Sequence, residues 1–437
     1  MIHPLPTRIH VCCLLLAASF FGVATSAAEL PNLALPAGVG VNIHFTRGHG
    51  HDLDLIAAAG FKFIRMDFVW SETEPKKGTY DWSAYDALTA NLESRGLRAY
   101  YILDYSNPLY EETVTGKDPI SGQETKTLSS PQHPDSVAAF ARWEAAAAKH
   151  FSGRHVIWEI WNEPDGSFWQ PKADVQQYTT LALATARAVR AADPSATILA
   201  PATSGFPWPF LETFLSSGVL EYLDGVSVHP YRAPNQPPET ALADYHRLRE
   251  LIATHAPPAR RNFIPIISGE WGYSSNTKGV SPERQAQFMV RQQLFNLLNG
   301  LPISIWYDWK NDGNDPNENE HNFGTVSPEL APKPVYTAIK TLTHELAGFG
   351  IANRYPAAST NDFILVLTNA AGAAKLAAWT LDDPHPLRLQ LHPSISNAIP
   401  RVNGVGRESQ IEVRNGRLIL DLNEVPQFIT LGQARLD

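Results

Sequence analysis

Between Gly38 and about Gly350, short apolar runs rich in β-branched residues alternate with longer segments of helical periodicity. Eight such strand-helix repeats predict an α/β fold, a closed (β/α)8 TIM barrel. An open doubly wound sheet is less favoured, because Gly38-Val39-Gly40 opens the first strand, whereas a phosphate-binding turn would follow that strand. The predicted strands are 38–44, 63–67, 99–104, 156–161, 196–200, 225–229, 265–270 and 303–307, and the clearest helices are 135–150, 175–192, 241–254 and 282–299.

Beyond residue 350 the pattern changes to short alternating runs at 363–368, 375–381, 410–414, 417–420 and 427–431. Asn415-Gly416 is a typical hairpin turn between the third and fourth of these runs. We therefore expect a barrel over residues 29–350 and a small antiparallel β-sandwich domain over 351–437. The segment before Gly38 is expected to add a strand to the smaller domain.

The N-terminus has the pattern of a cleavable secretory signal over residues 1–28: Arg8, an apolar run at 11–23 and small residues at 24–28. The apolar run is shorter than the roughly 20 residues that span a bilayer, so a membrane anchor is the less favoured interpretation. Cleavage near Glu29 would remove Cys12 and Cys13, the only two cysteines. The mature protein is thus expected in the periplasm or the medium, without a disulfide and without stable membrane insertion.

The formal net charge of −9 argues against nucleic acid or an anionic membrane as the main partner, since both need clustered Lys and Arg. A neutral polysaccharide or oligosaccharide fits this charge balance. We expect a monomer that needs no cofactor.

Two glutamates end apolar runs in aromatic surroundings, Glu163 in Trp161-Asn162-Glu163-Pro164 and Glu270 in Gly269-Glu270-Trp271-Gly272. Both fall at the carboxyl ends of predicted barrel strands, where this fold carries its active sites. Glycosidic hydrolysis needs one carboxyl group to protonate the leaving oxygen and a second to meet the anomeric carbon, while indole faces stack on sugar rings. The alternative is a pair of unrelated acids at strand ends.

Other strand ends add candidate substrate-binding residues. His229 and Tyr231 follow the sixth strand, although a structural histidine at the barrel rim fits the same pattern. Arg65 is placed to keep Glu270 ionised or, equally, to pair with Glu159. Asn162 is suited to hydrogen-bond a sugar hydroxyl. Indoles expected to stack on the sugar are Trp306, as its floor, with Trp169, Trp271 and Trp309 as further platforms.

No metal site is predicted. His49-Gly50-His51 follows the first strand as in metal-dependent amidohydrolases, but the lysine on the fourth strand and the histidine on the fifth that such enzymes require are missing. The acidic loop 308–321 lacks the regular spacing of a calcium loop and is expected to be a solvated loop at the substrate's edge.

These motifs resemble the retaining glycoside hydrolases of the (β/α)8 clan that contains the cellulase-like fifth family and the β-xylosidase-like and iduronidase-like thirty-ninth family. Within the clan, the stretch from Trp161 to Asp174, Gly40-Val41-Asn42 and Glu270-Trp271-Gly272 look most like bacterial glycosidases that cut biofilm exopolysaccharide. Asn322-Phe323-Gly324 followed by Lys333-Pro334 is similar to the closing segment of such barrels.

The resemblance implies that Glu163 is the acid/base and Glu270 the nucleophile. It also implies that Asn162 contacts the 2-hydroxyl, that His229 and Tyr231 line the cleavage subsite, and that Trp306 floors it through a non-proline cis bond. The third strand ends in Asp104-Tyr105-Ser106-Asn107, without the histidine of many cellulase-like members, which argues against a true cellulase.

The sequence therefore predicts a retaining glycosidase that acts on a β-linked polysaccharide or oligosaccharide. A transglycosylase on the same scaffold and a non-catalytic carbohydrate-binding barrel are the alternatives. The retaining mechanism predicts carboxyl groups about 5–5.5 Å apart, whereas inverting enzymes need roughly 6.5 Å or more.

Overall fold

The computed structural model describes residues 30–395 and 397–436. The predicted signal peptide, with Cys12 and Cys13, lies outside the described residues. The first part of the chain runs in the order β1 Val39–Asn42, α1 Gly50–Ala58, β2 Phe63–Val69, α2 Trp70–Thr73, α3 Ser83–Glu93, β3 Arg98–Asp104, β4 Thr113–Lys117, β5 Glu124–Leu128, α4 Pro134–His150, β6 Ile157–Ile160, α5 Val175–Ala192, β7 Thr197–Ser204, α6 Trp208–Leu215, β8 Gly225–His229, α7 Leu242–His255, β9 Ile266–Trp271, α8 Pro282–Leu298, β10 Ser304–Trp306 and α9 Pro334–Glu345. Short 3₁₀ helices lie at Val219–Glu221, Pro238–Ala241 and Glu320–Asn322.

Eight of these strands form a closed parallel barrel in the order β1-β10-β9-β8-β7-β6-β3-β2. The predicted TIM barrel is confirmed. The β8 strand and helix α5 have the predicted bounds, and the other barrel strands differ from prediction by up to four residues at an end. The hairpin β4–β5, inserted after the third barrel strand, was not predicted; its residues are mostly exposed and polar, so they lack the apolar alternation of a strand.

The lower part of the barrel interior is an apolar cluster to which most strands contribute one side chain: Phe63, Tyr100, Ile157, Leu199, Ile267, Ile303 and Ile305. Intervening strand residues such as Ile64 and Tyr101 point outward and pack in the larger cluster with the helices. A Cβ on Gly40 would lie 2.3 Å from Ile305 and 2.8 Å from Phe63, so only glycine fits there. The apolar cluster closes the barrel from below, and the polar side chains collect at its upper end.

The rest of the described chain consists of antiparallel strands: β11 Phe349–Arg354, β12 Asp362–Asn369, β13 Ala374–Thr380, β14 His385–His392, β15 Ala398–Asn403, β16 Glu408–Glu412, β17 Arg417–Leu422, β18 Gln427–Gly432 and β19 Arg435–Leu436. They form a six-stranded sheet, β11-β12-β13-β18-β15-β16, and a three-stranded sheet, β17-β14-β19. Both sheets contribute to one apolar cluster, which includes Leu376, Ile429, Leu391 and Leu420. The predicted C-terminal β domain is thereby confirmed.

Details of this domain differ from the prediction. The boundary expected after residue 350 falls inside β11, and the segment before Gly38 contributes an isolated antiparallel bridge, Ala34 to Gly350. Asn415 and Gly416 both have positive φ, as a two-residue hairpin turn requires. Domain limits therefore stay a prediction.

Within the described ranges, 30–395 and 397–436, no helix combines the length and apolarity needed to cross a bilayer.

Candidate active site

Glu163 lies just past β6, in a stretch of unusual backbone geometry. Trp161 and Glu163 have φ values of +70° and +43°, in the left-handed region that non-glycine residues seldom adopt. The Glu163 amide is held by a hydrogen bond to the Ala202 carbonyl at 3.0 Å, which connects this turn to β7. Strained backbone of this kind collects at functional sites, where surrounding structure fixes it.

Glu270 reaches the same space through an irregularity in β9. Ser304 and Trp306 of β10 pair with Ser268 and Trp271, so β9 has one extra residue between the paired positions. Ile267 and Gly269 face the barrel interior, and simple alternation would turn Glu270 outward. The bulge re-aims its side chain into the barrel mouth.

The two glutamates are close together. One carboxylate oxygen of Glu163, one of Glu270 and a ring nitrogen of His229 all lie within 4.8 Å of one another. The glutamate side chains are 16% and 13% exposed, so both are accessible from the mouth. The prediction that the sixth strand brings His229 to the pair agrees with this geometry.

Arg65 on β2 connects the site residues. Its guanidinium donates to Glu270 Oε2 at 2.6 Å, to Glu159 Oε2 at 2.8 Å and to Asn162 Oδ1 at 2.8 Å. The sequence left Glu270 and Glu159 open as alternative partners, and the structure shows both. Arg65 is fully buried, which contradicts its predicted direct contact with substrate; it positions the residues that face the mouth.

The bond to Arg65 also fixes the tautomer of His229. Arg65 Nη2 lies 3.2 Å from His229 Nε2, and an arginine can only donate, so Nε2 accepts. Nδ1 therefore carries the proton and donates to Glu163 Oε1 at 2.8 Å. Burial, and then the charge of Arg65, lower the pKa of His229, which favours this neutral form.

The two carboxyl groups differ in environment. Burial raises the pKa of Glu163 to about 7, an effect that the charge of Arg65 only partly offsets. Glu270 receives the Arg65 bond on one oxygen and the Tyr231 hydroxyl on the other at 2.8 Å. Hydrogen bonds of this type stabilise an ionised carboxylate. Neutral solution thus leaves a large fraction of Glu163 protonated, beside a Glu270 carboxyl group that accepts a hydrogen bond from a guanidinium.

A cation would be poorly placed among these three side chains, although their spacing alone would suit a metal ion. The guanidinium of Arg65 is 2.6 Å from Glu270 and would repel a second positive charge. His49, from the other metal-like motif, lies at the start of α1, where Nδ1 is 3.2 Å from Asp52 Oδ2.

The predicted tryptophan platforms need correction. Trp169, Trp271 and Trp306 are all 0% exposed, and Trp309 is 1% exposed. A side chain without an exposed face cannot stack on a ligand, so this burial contradicts the predicted role of all four. The cause is visible at β10. Ile303 and Ile305 point into the barrel, so Trp306, the residue after Ile305, points outward and packs among the helices.

Tyr307, which the sequence reading missed, occupies the position predicted for Trp306. It is half-buried, packs edge-on against Phe323 with ring centres 5.2 Å apart, and its hydroxyl lies 3.2 Å from Glu320 Oε2. The alternation Ile303, Ile305, Tyr307 carried the signal, because position 307 is the next inward one. The non-proline cis bond expected at Trp306 joins Tyr307 to Asp308, and a second joins Asp104 to Tyr105.

Acidic side chains line the mouth beside β1, β2 and β3. Asp104 is fully buried, and within residues 30–395 and 397–436 neither of its carboxylate oxygens has a hydrogen-bond donor; burial and the neighbouring Asp67 raise its pKa well above the usual range. Two residues past β1, His44 lies 3.3 Å from Asp308. Burial would lower the pKa of His44, but the charge and hydrogen bond of Asp308 outweigh it and raise the pKa to about 9.

Comparison with known proteins gives a consistent result. Residues 38–314 match the family model described as cellulase, glycosyl hydrolase family 5. A search of the curated proteins found no match.

Several solved structures share the fold. A family 39 glycoside hydrolase from Bacteroides cellulosilyticus WH2 has 24% identity and a TM-score of 0.76, over 92% of this chain and 81% of that chain. A monomeric β-xylosidase from Caulobacter crescentus CB15 has 18% identity and a TM-score of 0.63, over 92% and 97%. A family 30 subfamily 8 xylanase from Clostridium acetobutylicum has 14% identity and a TM-score of 0.62, over 92% and 97%.

Proposed function

The chain belongs to the cellulase family, glycosyl hydrolase family 5, and from this premise we propose that it cleaves a β-linked polysaccharide or oligosaccharide by a double displacement at Glu163 and Glu270. Membership makes it an O-glycosyl hydrolase of the retaining (β/α)8 clan. The proposal adds the identity of the two reacting carboxyl groups and the class of substrate.

The observation that carries the proposal is the close pair of unlike carboxyl groups. Their nearest oxygens are within 4.8 Å, a short separation that suits direct attack on a sugar held between them. One group is protonated in a large fraction of molecules at neutral pH, and the other accepts hydrogen bonds from the Arg65 guanidinium and the Tyr231 hydroxyl. An acid and a nucleophile are therefore present together.

In the first displacement, Glu163 transfers its proton to the glycosidic oxygen while a Glu270 oxygen attacks the anomeric carbon. The bond to the leaving sugar breaks and a covalent glycosyl-Glu270 ester forms. Glu163 is now a carboxylate, and the proton on His229 Nδ1 stabilises that charge through the existing hydrogen bond. In the second displacement Glu163 takes a proton from water, and the resulting hydroxide equivalent releases the sugar from Glu270.

Neighbouring residues suit the recognition of one sugar ring. Because Arg65 donates to Asn162 Oδ1, the amide nitrogen of Asn162 is the end available to donate to a sugar hydroxyl, which we assign to the 2-hydroxyl. As the ester forms, the Tyr231 hydroxyl gives up its hydrogen bond to Glu270. It can then donate to the ring oxygen of the sugar. Tyr307 replaces Trp306 as the aromatic floor of the ring.

The substrate is proposed to be a neutral β-glycan, with bacterial exopolysaccharide the first candidate because of the sequence motifs around Glu163. Xylan is included because two proteins of the same fold are described as a β-xylosidase and a xylanase. Action outside the cytoplasm rests on the signal-like residues 1–28, and a monomer is proposed because one protein of the same fold is described as monomeric.

The test is a screen of β-glucan, xylan, mannan and native exopolysaccharide, followed by proton NMR of the first product anomer. We expect the β-anomer to appear before mutarotation, and Glu270→Gln to give no product. An α-anomer at early times would disprove the double displacement. Longer chains in the mass spectrum would identify a transglycosylase, and calorimetric binding of a glycan without any product would identify a binding protein.

The raised pKa of Glu163 predicts a pH limit for activity. The protonated form is the acid, so kcat/KM on an unactivated glycan is expected to fall as pH rises through about 7. The pH profile should be measured for the wild type and for Glu163→Gln with a dinitrophenyl glycoside, whose leaving group needs no proton. Persistence of the same alkaline limb in the variant would assign that limb to another group.

A further inference from the structure

A groove leads from the catalytic residues to the C-terminal domain. It consists of three open depressions with cavity volumes of about 570, 430 and 620 Å³. The first is lined by Tyr231 and Gly272, and Tyr231 is the residue that donates to Glu270. The groove therefore begins next to Glu270, with Tyr231 between them.

The three depressions adjoin one another, because neighbours share lining residues. Pro234, Gly279 and Val280 line both the first and the second. Asn235, Arg284 and Glu424 line both the second and the third. The last depression also has Thr380 to Pro384 and Asn423 of the C-terminal domain in its wall, so both domains build the groove.

The wall formed by the C-terminal domain is held rigidly by one buried carboxylate. Glu239 accepts two bonds from Arg291 of α8, at 2.8 and 2.7 Å, and a third from Trp379 Nε1 of β13, at 2.8 Å. We call these three residues the Glu239 network. All three are buried, and Trp379 stacks on Phe363 with ring centres 4.9 Å apart.

The position of the network matters for the groove because the Thr380–Pro384 segment follows Trp379 directly. A second link between the two domains is the surface ion pair of Arg284 in α8 with Glu424 of the C-terminal domain, 3.0 Å apart. The first depression is fixed as well, since the Tyr273 hydroxyl donates to the Gln236 carbonyl at 2.9 Å. A preformed groove binds an extended ligand with a smaller loss of conformational freedom.

The chemistry of the walls fits a neutral glycan. Exposed amide, carboxylate and ammonium groups follow one another along the path, among them Asn317, Lys278, Asn235 and Asp383. Such groups exchange hydrogen bonds with sugar hydroxyls, and the mixture of both signs gives no single strong field that would select a charged polymer.

We propose that this groove binds the part of a polysaccharide chain that extends beyond the cleavage site, and that the C-terminal β domain provides its distal subsites. The inference rests on the proposed function. It goes beyond that function by giving the second domain a role in substrate binding and by making a long chain the preferred substrate.

The test is the double variant Asn235→Ala/Asp383→Ala, which removes one exposed polar group from each domain and touches no catalytic residue. For whichever of soluble β-glucan, xylan, mannan or exopolysaccharide the wild type cleaves, kcat/KM on the polymer is expected to fall about tenfold, the loss expected for two hydrogen bonds. The kcat/KM on the nitrophenyl β-glycoside of the same sugar is expected to stay unchanged. Glu412→Ala, an exposed acid of the same domain outside the groove, is the matched control and should change neither value.

An unchanged value on the polymer, or equal losses on the polymer and the nitrophenyl glycoside, would overturn the inference. Neither result affects the proposed function, which stands or falls with Glu163 and Glu270. If the wild type cleaves none of these glycans, the proposed function fails and this inference fails with it.

Discussion

Glu163→Gln is expected to lower kcat/KM on an unactivated glycan by roughly 10²- to 10⁴-fold, because the amide can neither protonate the leaving oxygen nor activate water. On a dinitrophenyl glycoside the first displacement should survive, since this leaving group departs without a proton. The second displacement should be slow, so the covalent intermediate should accumulate. Intact-protein mass spectrometry would show it as a mass increase of one glycosyl unit.

The matched control is Glu270→Gln, which should be inactive on both substrates and should show no adduct. Glu163→Gln should keep the wild-type melting temperature near pH 7, because replacement of the partly protonated Glu163 removes no strong bond. A Glu163→Gln variant with wild-type turnover on the unactivated glycan would exclude Glu163 as the acid. An adduct on Glu270→Gln would place the nucleophile elsewhere.

Arg65→Met is expected to destabilise the protein by about 3–5 kcal/mol, the usual consequence of removing one partner from a buried ion pair. Glu159 is fully buried; burial alone would raise its pKa, but the charge of Arg65, together with the hydrogen bonds and charges of its other neighbours, lowers it. Without Arg65 the carboxylate must take up a proton or remain buried and unpaired. Glu270 would also lose its donor at 2.6 Å, so activity should fall together with stability.

Chemical denaturation at neutral pH measures the loss, and Arg414→Met, at an arginine whose side chain is 83% exposed, is the control that should change stability very little. The double variant Arg65→Met/Glu159→Gln should recover part of the stability because the buried charge has been removed with its partner. Recovery of activity is not expected, since Glu270 still lacks its cation. A double variant less stable than Arg65→Met would show that the buried charge is not the cause.

The sequence predicted the barrel well because its parallel strands are buried on both faces and read as continuous apolar runs, as at 225–229. Strands of the C-terminal domain were harder to recognise. β14 contains Pro386 and β15 contains Pro400, and a proline within a run of residues argues against a strand there. Neither strand was predicted.

At the site, Glu163, Glu270, His229 and Tyr231 were predicted at strand ends, while the pairing among their neighbours was left open. Arg65 could not be assigned to Glu159 or Glu270 from sequence, because a guanidinium donates from several edges and satisfies both acids at once. Trp306 was predicted as the floor, although the inward alternation from Ile303 and Ile305 indicates Tyr307. Gly269 within β9 is compatible with a bulge, but it does not set the direction of Glu270, which came only with the structure.

The Glu239 network has a consequence for the inheritance of the two domains. Its carboxylate belongs to the barrel, and one of its three donors comes from the β domain. A chimera that joined this barrel to an unrelated β domain would leave a buried acid one donor short, and the reciprocal chimera would bury an indole nitrogen without an acceptor. The two parts are therefore not interchangeable modules, and recombination between relatives should preserve them as a pair.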